Sequence, residues 1–164
     1  MRSLGLDVGD RRTGVAMSDP QGILASPLTV LASEDEDTLI NEILKLVERH
    51  RLERIVVGLP RRLSGEIGEQ ASKVTSFTDK LLWRAKESKF DQLDVQLWDE
   101  RLSTKAAERL RTKAGGQGDS WRFGGRRGAR NRRPAVKAEV HAIAAALILQ
   151  SFLDSQHPDD AEES

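Results

Sequence analysis

Two short apolar runs open the chain, residues 3–9 (SLGLDVG) and 13–18 (TGVAMS), with only Asp10, Arg11 and Arg12 between them. Apolar runs on either side of a charged three-residue break predict a β-hairpin, so the fold starts with two antiparallel strands. A third strand is expected over 27–32. Ser33 then caps a helix to about Arg51, in which Leu39, Ile43, Leu44 and Val47 recur at helical spacing behind acids that suit the positive end of the helix dipole. Ile55, Val56, Val57 and Gly58 form a compact fourth strand, ended by Leu59 and Pro60. A polar, glycine-containing turn over 61–68 leads into a second helix reaching about Lys89. Val95, Leu97 and Trp98 mark a fifth strand that ends in Asp99 and Glu100. Ser103 or Thr104 caps a helix over 106–113, and a last helix runs from about Pro134 to Leu153. A hairpin followed by alternating strands and helices predicts an α/β fold. Its five-stranded mixed sheet is antiparallel at one edge, parallel at the other, and covered by helices on both faces.

The 164 residues suit a single domain, expected over 1–153. Absence of cysteine excludes disulfide scaffolds, thiolate zinc sites and cysteine nucleophiles, and fits a reducing, cytoplasmic compartment. The longest apolar stretch, 142–149, is too short to cross a bilayer, and no signal-peptide hydrophobic region precedes the first strand, so no membrane role is expected. Basic and acidic residues both number 26, which leaves the chain neutral. The charge is nevertheless segregated. Residues 113–133 hold seven basic residues, one acid and six glycines, a net of +6 against −6 for the remainder. Such a segment buries too little apolar surface to order itself, and a mobile loop is expected there. Its Arg122, Arg126, Arg127, Arg130, Arg132 and Arg133, interleaved with Trp121 and Phe123, suit phosphate contact and base stacking; the plainer alternative is a solvated linker. Residues 154–164 carry five acids and no base and read as a disordered acidic tail.

Asp7 stands between Leu6 and Val8 in an apolar strand, where a buried carboxylate costs several kcal/mol unless it is paired or holds a metal. Gly9 removes a side chain where a phosphate or metal would approach the backbone, and Arg11 and Arg12 add positive charge at the hairpin tip. A structural ion pair with an arginine is the alternative. Asp99 and Glu100 supply a second acidic position in the same sheet. Adjacent strand residues point to opposite faces, so one of the two at most shares a face with Asp7. Oxygen ligands of this kind favour a hard divalent cation, and two such cations suit phosphodiester hydrolysis.

The segments LGLDVGDRRTGVAMSD (4–19), VVGLP with the following Gly65 (56–65), WDERLST (98–104) and AIAAALILQSFL (142–153) together resemble the YqgF/RuvX family of Holliday junction resolvase-like proteins. The resemblance implies a ribonuclease H-like fold with strand order 3-2-1-4-5. It also implies a metal-dependent nuclease, using Mg²⁺ or Mn²⁺, that processes the 5′ end of pre-16S rRNA or resolves branched DNA. Carried over by position, Asp7 resembles the first metal-binding carboxylate and Glu100 the second, with Asp99 as the neighbouring candidate. Where family members carry an aspartate near the start of the last helix, this chain has His141. Glu139 is a poor substitute, because two helical residues differ by about 200° in direction. A nitrogen ligand leans toward Mn²⁺ and makes binding fall as pH drops through the ordinary imidazole range, about 6.5. Arg61 and Arg62 replace the apolar residue and Asn more usual after GLP, and with Arg11 and Arg12 they are candidate phosphate contacts.

The expected partners are structured RNA or a four-way DNA junction, with ribosomal particles as a further candidate, and the chain acts as a monomer or a homodimer. Two alternatives compete. One is a nucleotide-binding ATPase of the actin or sugar-kinase type, whose DxG hairpin residues 7–14 also fit; a single lobe speaks against it. The other is a non-catalytic nucleic-acid-binding or ribosome-assembly factor whose metal site has degraded at His141.

Overall fold

The computed structural model describes residues 1–60, 68–99 and 129–157, with 129–139 described by backbone alone. Its elements in chain order are β1 (Ser3–Val8), β2 (Arg12–Ser18), β3 (Ala25–Ala32), α1 (Glu36–His50), β4 (Arg54–Leu59), α2 (Glu69–Lys86), β5 (Asp94–Asp99) and a long last helix, here α3 (Ala129–Gln156). The strands form one sheet in the order β3-β2-β1-β4-β5. The first three pair antiparallel, and β1, β4 and β5 run parallel. The order is the one the family resemblance implies, and the mixture of pairings is the one expected from the apolar runs.

Strand alternation sorts the side chains into two layers. Leu4, Leu6, Val15, Ile55, Val57 and Leu59 turn to one face and pack against Leu39, Ile40 and Ile43 of α1 and Val74, Phe77 and Leu81 of α2. Gly5, Ala16 and Val56 turn to the other, where Ala145, Ile148, Leu149 and Phe152 of α3 cover them. Helices therefore cover both faces, as expected.

Several boundaries differ from the sequence reading, each for a local reason. Helix α1 is capped by Asp35, whose carboxylate accepts from the Asp37 N–H (3.2 Å) and the Thr38 hydroxyl (2.6 Å), and not by Ser33. Ser33 is engaged elsewhere: its hydroxyl donates to the Gly9 carbonyl at 2.8 Å. Helix α2 stops at Lys86, three residues early, where the Ser88 hydroxyl turns back to the Ala85 carbonyl and competes with further helix. Helix α3 begins at Ala129, so Arg130, Arg132 and Arg133 lie in helix rather than loop, in line with the high helix propensity of Ala and Arg. At its other end Asp154, Ser155 and Gln156, expected in the acidic tail, are helical, with Gln150 donating to Asp154 one turn on at 3.0 Å. The expected helix over 106–113, most of the basic loop and residues 158–164 of the tail lie outside the described residues.

The end of the sheet distant from Asp7 is anchored through the turn joining β2 to β3. Asp19 accepts from the Ile23 and Leu24 N–H groups at 2.7 and 3.0 Å, and these bonds hold its carboxyl below the usual carboxylate range. Gln150 of α3 accepts from the Ala25 N–H and donates to the Ile23 carbonyl, both at 2.9 Å, which fixes the register of the helix on the sheet. Among the described residues no helix is long and apolar enough to cross a membrane.

Candidate active site

Parallel β1, β4 and β5 bring their carboxyl ends, at Val8, Leu59 and Asp99, to one edge of the sheet. In sheets of this kind, ligands bind beyond the carboxyl ends of the strands. Asp7 is the penultimate residue of β1 and is half-buried. Two residues beyond Gly5, it shares the α3 face, and across the ladder it pairs with Gly14 of β2. Gly14 is tightly enclosed. A Cβ there would stand 1.8 Å from the His141 carbonyl oxygen and 2.3 Å from its carbon. Helix α3 therefore crosses β2 in direct backbone contact, and the crossing residue is the histidine that the sequence places among the candidate ligands.

The buried stripe of α3 runs through Ala142, Ala145 and Leu149. His141 is one residue, about 100°, off that stripe, and it is half-buried. Fold topology thus places Asp7 and His141, 134 positions apart in the chain, on neighbouring backbone at the same edge. The third proposed ligand, Glu100, lies outside the described residues, and among those that are described no three His, Asp or Glu side chains are grouped to hold a metal. Asp99 pairs with Leu59, which packs in the α1/α2 core, so its strand position belongs to the face opposite Asp7.

The hairpin tip beside Asp7 is exposed at Arg11 and Arg12, and Arg12, two residues from Gly14, shares the α3 face with Asp7. Gly9 differs from its expected role. A Cβ there would meet the Arg12 carbonyl oxygen at 2.6 Å, so the glycine serves to close the turn, with its N–H donating to that oxygen at 3.0 Å. Arg61, Arg62, Arg122, Arg126 and Arg127 lie outside the described residues, as do the side chains of Arg130, Arg132 and Arg133.

Three features escaped the sequence reading. Gln70, in the first turn of α2, donates to the Val8 carbonyl at 3.2 Å and ties that helix to the end of β1. Lys73 reaches Asp10 at 3.7 Å across a cleft of about 420 Å³ lined by Asp10, Pro60, Gly68, Glu69, Gln70, Ala71 and Lys73. Ser33 holds the hairpin tip from the other side. Nothing in the local sequence announces these long-range partners, although a glycine paired opposite an acid in an apolar strand is a signal that would have singled out Gly14.

Residues 1–155 match the model of the family described as "RuvX: Holliday junction resolvase". A protein of Desulforudis audaxviator named "Putative pre-16S rRNA nuclease" is 40% identical over 156 residues, covering 95% of this chain and 96% of its own. A protein of the same name from a Roseiflexus species is 38% identical over 157 residues, covering 94% and 95%. Among solved structures, the yeast mitochondrial Holliday junction resolvase Ydc2 superposes with a TM-score of 0.56 at 13% identity, covering 98% of this chain and 83% of that one. Thermus thermophilus RuvC in complex with a Holliday junction gives 0.54 at 14%, covering 95% of each. At such identities the structures speak for the fold alone, and they agree with the expected ribonuclease H-like topology. The match along nearly the whole length and the identity to full-length relatives establish that this chain belongs to the RuvX family.

Proposed function

We propose that the chain is a metal-dependent nuclease that hydrolyses phosphodiester bonds in structured nucleic acid in the cytoplasm. Pre-16S rRNA is the substrate that the names of its relatives suggest, and a four-way DNA junction is the other. The observation that supports this reading is that Gly14 pairs with Asp7 across the ladder and lies against the backbone of His141, near the carboxyl ends of the parallel strands. Family membership supports it.

The donor chemistry fits a hard divalent cation. A carboxylate and an imidazole offer oxygen and nitrogen, and the bare Gly14 beside Asp7 leaves that flank to helix backbone. Asp7, Glu100 and His141 would hold the ion, and the strand register favours Glu100 over Asp99 as the second carboxylate. A divalent cation supplies Lewis-acid stabilisation of the charge that develops on the phosphodiester, and it lowers the pKa of a nearby water. The protein's share is positional. Asp7 is fixed by a central strand paired on both sides, and α3 is locked to the sheet by Gly14 at one end and Gln150 at the other. Arg11 and Arg12 at the hairpin tip, with Arg61, Arg62 and the arginines of the basic segment, orient the substrate through its phosphates, so affinity falls steeply with salt.

The test is cleavage of a stem-loop RNA spanning a pre-16S 5′ end and of a four-way DNA junction, in Mg²⁺ and in Mn²⁺, by the wild type, Asp7→Asn and His141→Ala. Loss of at least about 100-fold with Asp7→Asn is expected. Binding of both probes without metal-dependent cleavage of either would instead favour a non-catalytic assembly factor, the reading to which the histidine in place of the family's aspartate lends weight.

A further inference from the structure

Ser33 is half-buried in the link between β3 and α1, and both of its hydrogen-bond donors serve the β1–β2 hairpin. Its N–H donates to the Arg11 carbonyl at 2.9 Å, extending the β2–β3 ladder one step past Arg12 and Ala32. Its hydroxyl donates to the Gly9 carbonyl at 2.8 Å. Within the tip, the Gly9 N–H donates to the Arg12 carbonyl at 3.0 Å. From the α2 side, Gln70 holds the Val8 carbonyl and Lys73 pairs with Asp10. The backbone carbonyls of Val8, Gly9, Arg11 and Arg12 thus all have donors, in a tight hairpin tip whose two arginines are exposed to solvent.

That arrangement has a chemical consequence. Exposed arginines on a loose loop lose backbone as well as side-chain freedom when they meet a phosphate, whereas on a fixed turn the backbone part is already lost. We propose that Ser33 is a positioning residue for nucleic-acid binding: through the Gly9 and Arg11 carbonyls it holds the hairpin tip so that Arg11 and Arg12 engage the phosphate backbone together. The inference rests on the reading of these arginines as phosphate contacts. Ser33 touches no substrate itself. Its hydroxyl, unlike its N–H, is removable by substitution without disturbing the ladder.

The experiment measures affinity, in EDTA so that no cleavage intervenes, for a labelled stem-loop RNA and a labelled four-way DNA junction across a range of salt concentrations. The proteins are the full-length wild type, Ser33→Ala, Ser33→Thr, the double variant Arg11→Ala/Arg12→Ala, and that double variant combined with Ser33→Ala. Removing both arginines should weaken binding and make the dependence of log K on log salt shallower by about 1.8, which is two phosphate contacts on duplex. Ser33→Ala should weaken binding about fivefold and flatten the slope in the same direction. Ser33→Thr, which keeps the hydroxyl, should restore both. In the arginine-free background Ser33→Ala should change affinity by less than about twofold, because there is nothing left to position. The inference is overturned if Ser33→Ala binds like the wild type, or if its loss is as large without the arginines as with them, which would mark a purely structural role. Wild-type binding by the double arginine variant would overturn the phosphate-contact reading itself, and the inference with it.

Discussion

The two faces of the sheet are built on different rules. Toward α1 and α2 the strands present leucine, isoleucine and valine, and the helices answer with the same kinds of residue and Phe77, so layers are held apart by interlocking large side chains. Toward α3 large residues such as Val56, Leu149 and Phe152 pack too, but the strands also present Gly5, Gly14 and Ala16, the helix answers with Ala142, Ala145 and Ala146, and at Gly14 backbone approaches backbone. Interlocking aliphatic packing tolerates repacking as long as volume is kept. Backbone contact does not, because neither partner has a side chain that can rotate away. The proposed ligands Asp7 and His141 both belong to the second face, where position is most tightly determined.

That contrast can be broken experimentally. The largest stability change is expected from Phe77→Ala, since truncating a fully buried aromatic costs about 3–5 kcal/mol in denaturant unfolding. Because Phe77 serves the far face, the folded fraction should bind Mn²⁺ as the wild type does. Gly14→Ala comes next, at about 3 kcal/mol, the upper end for overpacking, because its methyl group would stand 1.8 Å from the His141 carbonyl. Here Mn²⁺ affinity should fall as well. Gly5→Ala is its matched control: the new methyl would meet Leu149 Cβ at 2.7 Å and the Ala145 carbonyl at 2.9 Å, one to two turns along the same helix. Its cost should be near 2 kcal/mol with metal affinity kept. If the two glycine variants lower Mn²⁺ affinity equally, the closeness of Gly14 to His141 has no special bearing on the site.

A smaller effect, confined to the α1/α2 face, is expected at the cap of α1. The Thr38 hydroxyl and, to a lesser degree, the Asp37 N–H hold the Asp35 carboxyl below its ordinary value. A lowered folded pKa means that the stabilisation is present above the unfolded carboxylate pKa and is lost as pH falls through the folded one. Asp35→Ala should lower the melting temperature by a few degrees at neutral pH and by less in acid, as thermal scans across that range would register.

Much of the fold is legible in the chain because the apolar runs are short, separated and bounded by glycine, proline or charge. The mixed pairing and both helix layers follow from them, whereas the strand order is what the family resemblance implies. Asp7 stands out for the same reason, as a carboxylate in an otherwise apolar strand. What escapes is whatever depends on a distant partner. Ser33 has the residue type of a cap, yet its hydroxyl donates to the neighbouring Gly9 carbonyl and Asp35 caps α1 in its place. Gly9 and Gly14 look alike in sequence, yet one closes a turn and the other admits a helix. Strand alternation allowed either Asp99 or Glu100 to share a face with Asp7, and pairing with Leu59 is what assigns Asp99 to the other side.

The central claim is that the first-strand carboxylate and the last-helix imidazole serve one cation, and calorimetric titration of the purified chain with Mn²⁺ tests it most directly. The account predicts a saturable site in the wild type that weakens at least about tenfold in both Asp7→Asn and His141→Ala. Undiminished Mn²⁺ binding by Asp7→Asn would contradict it.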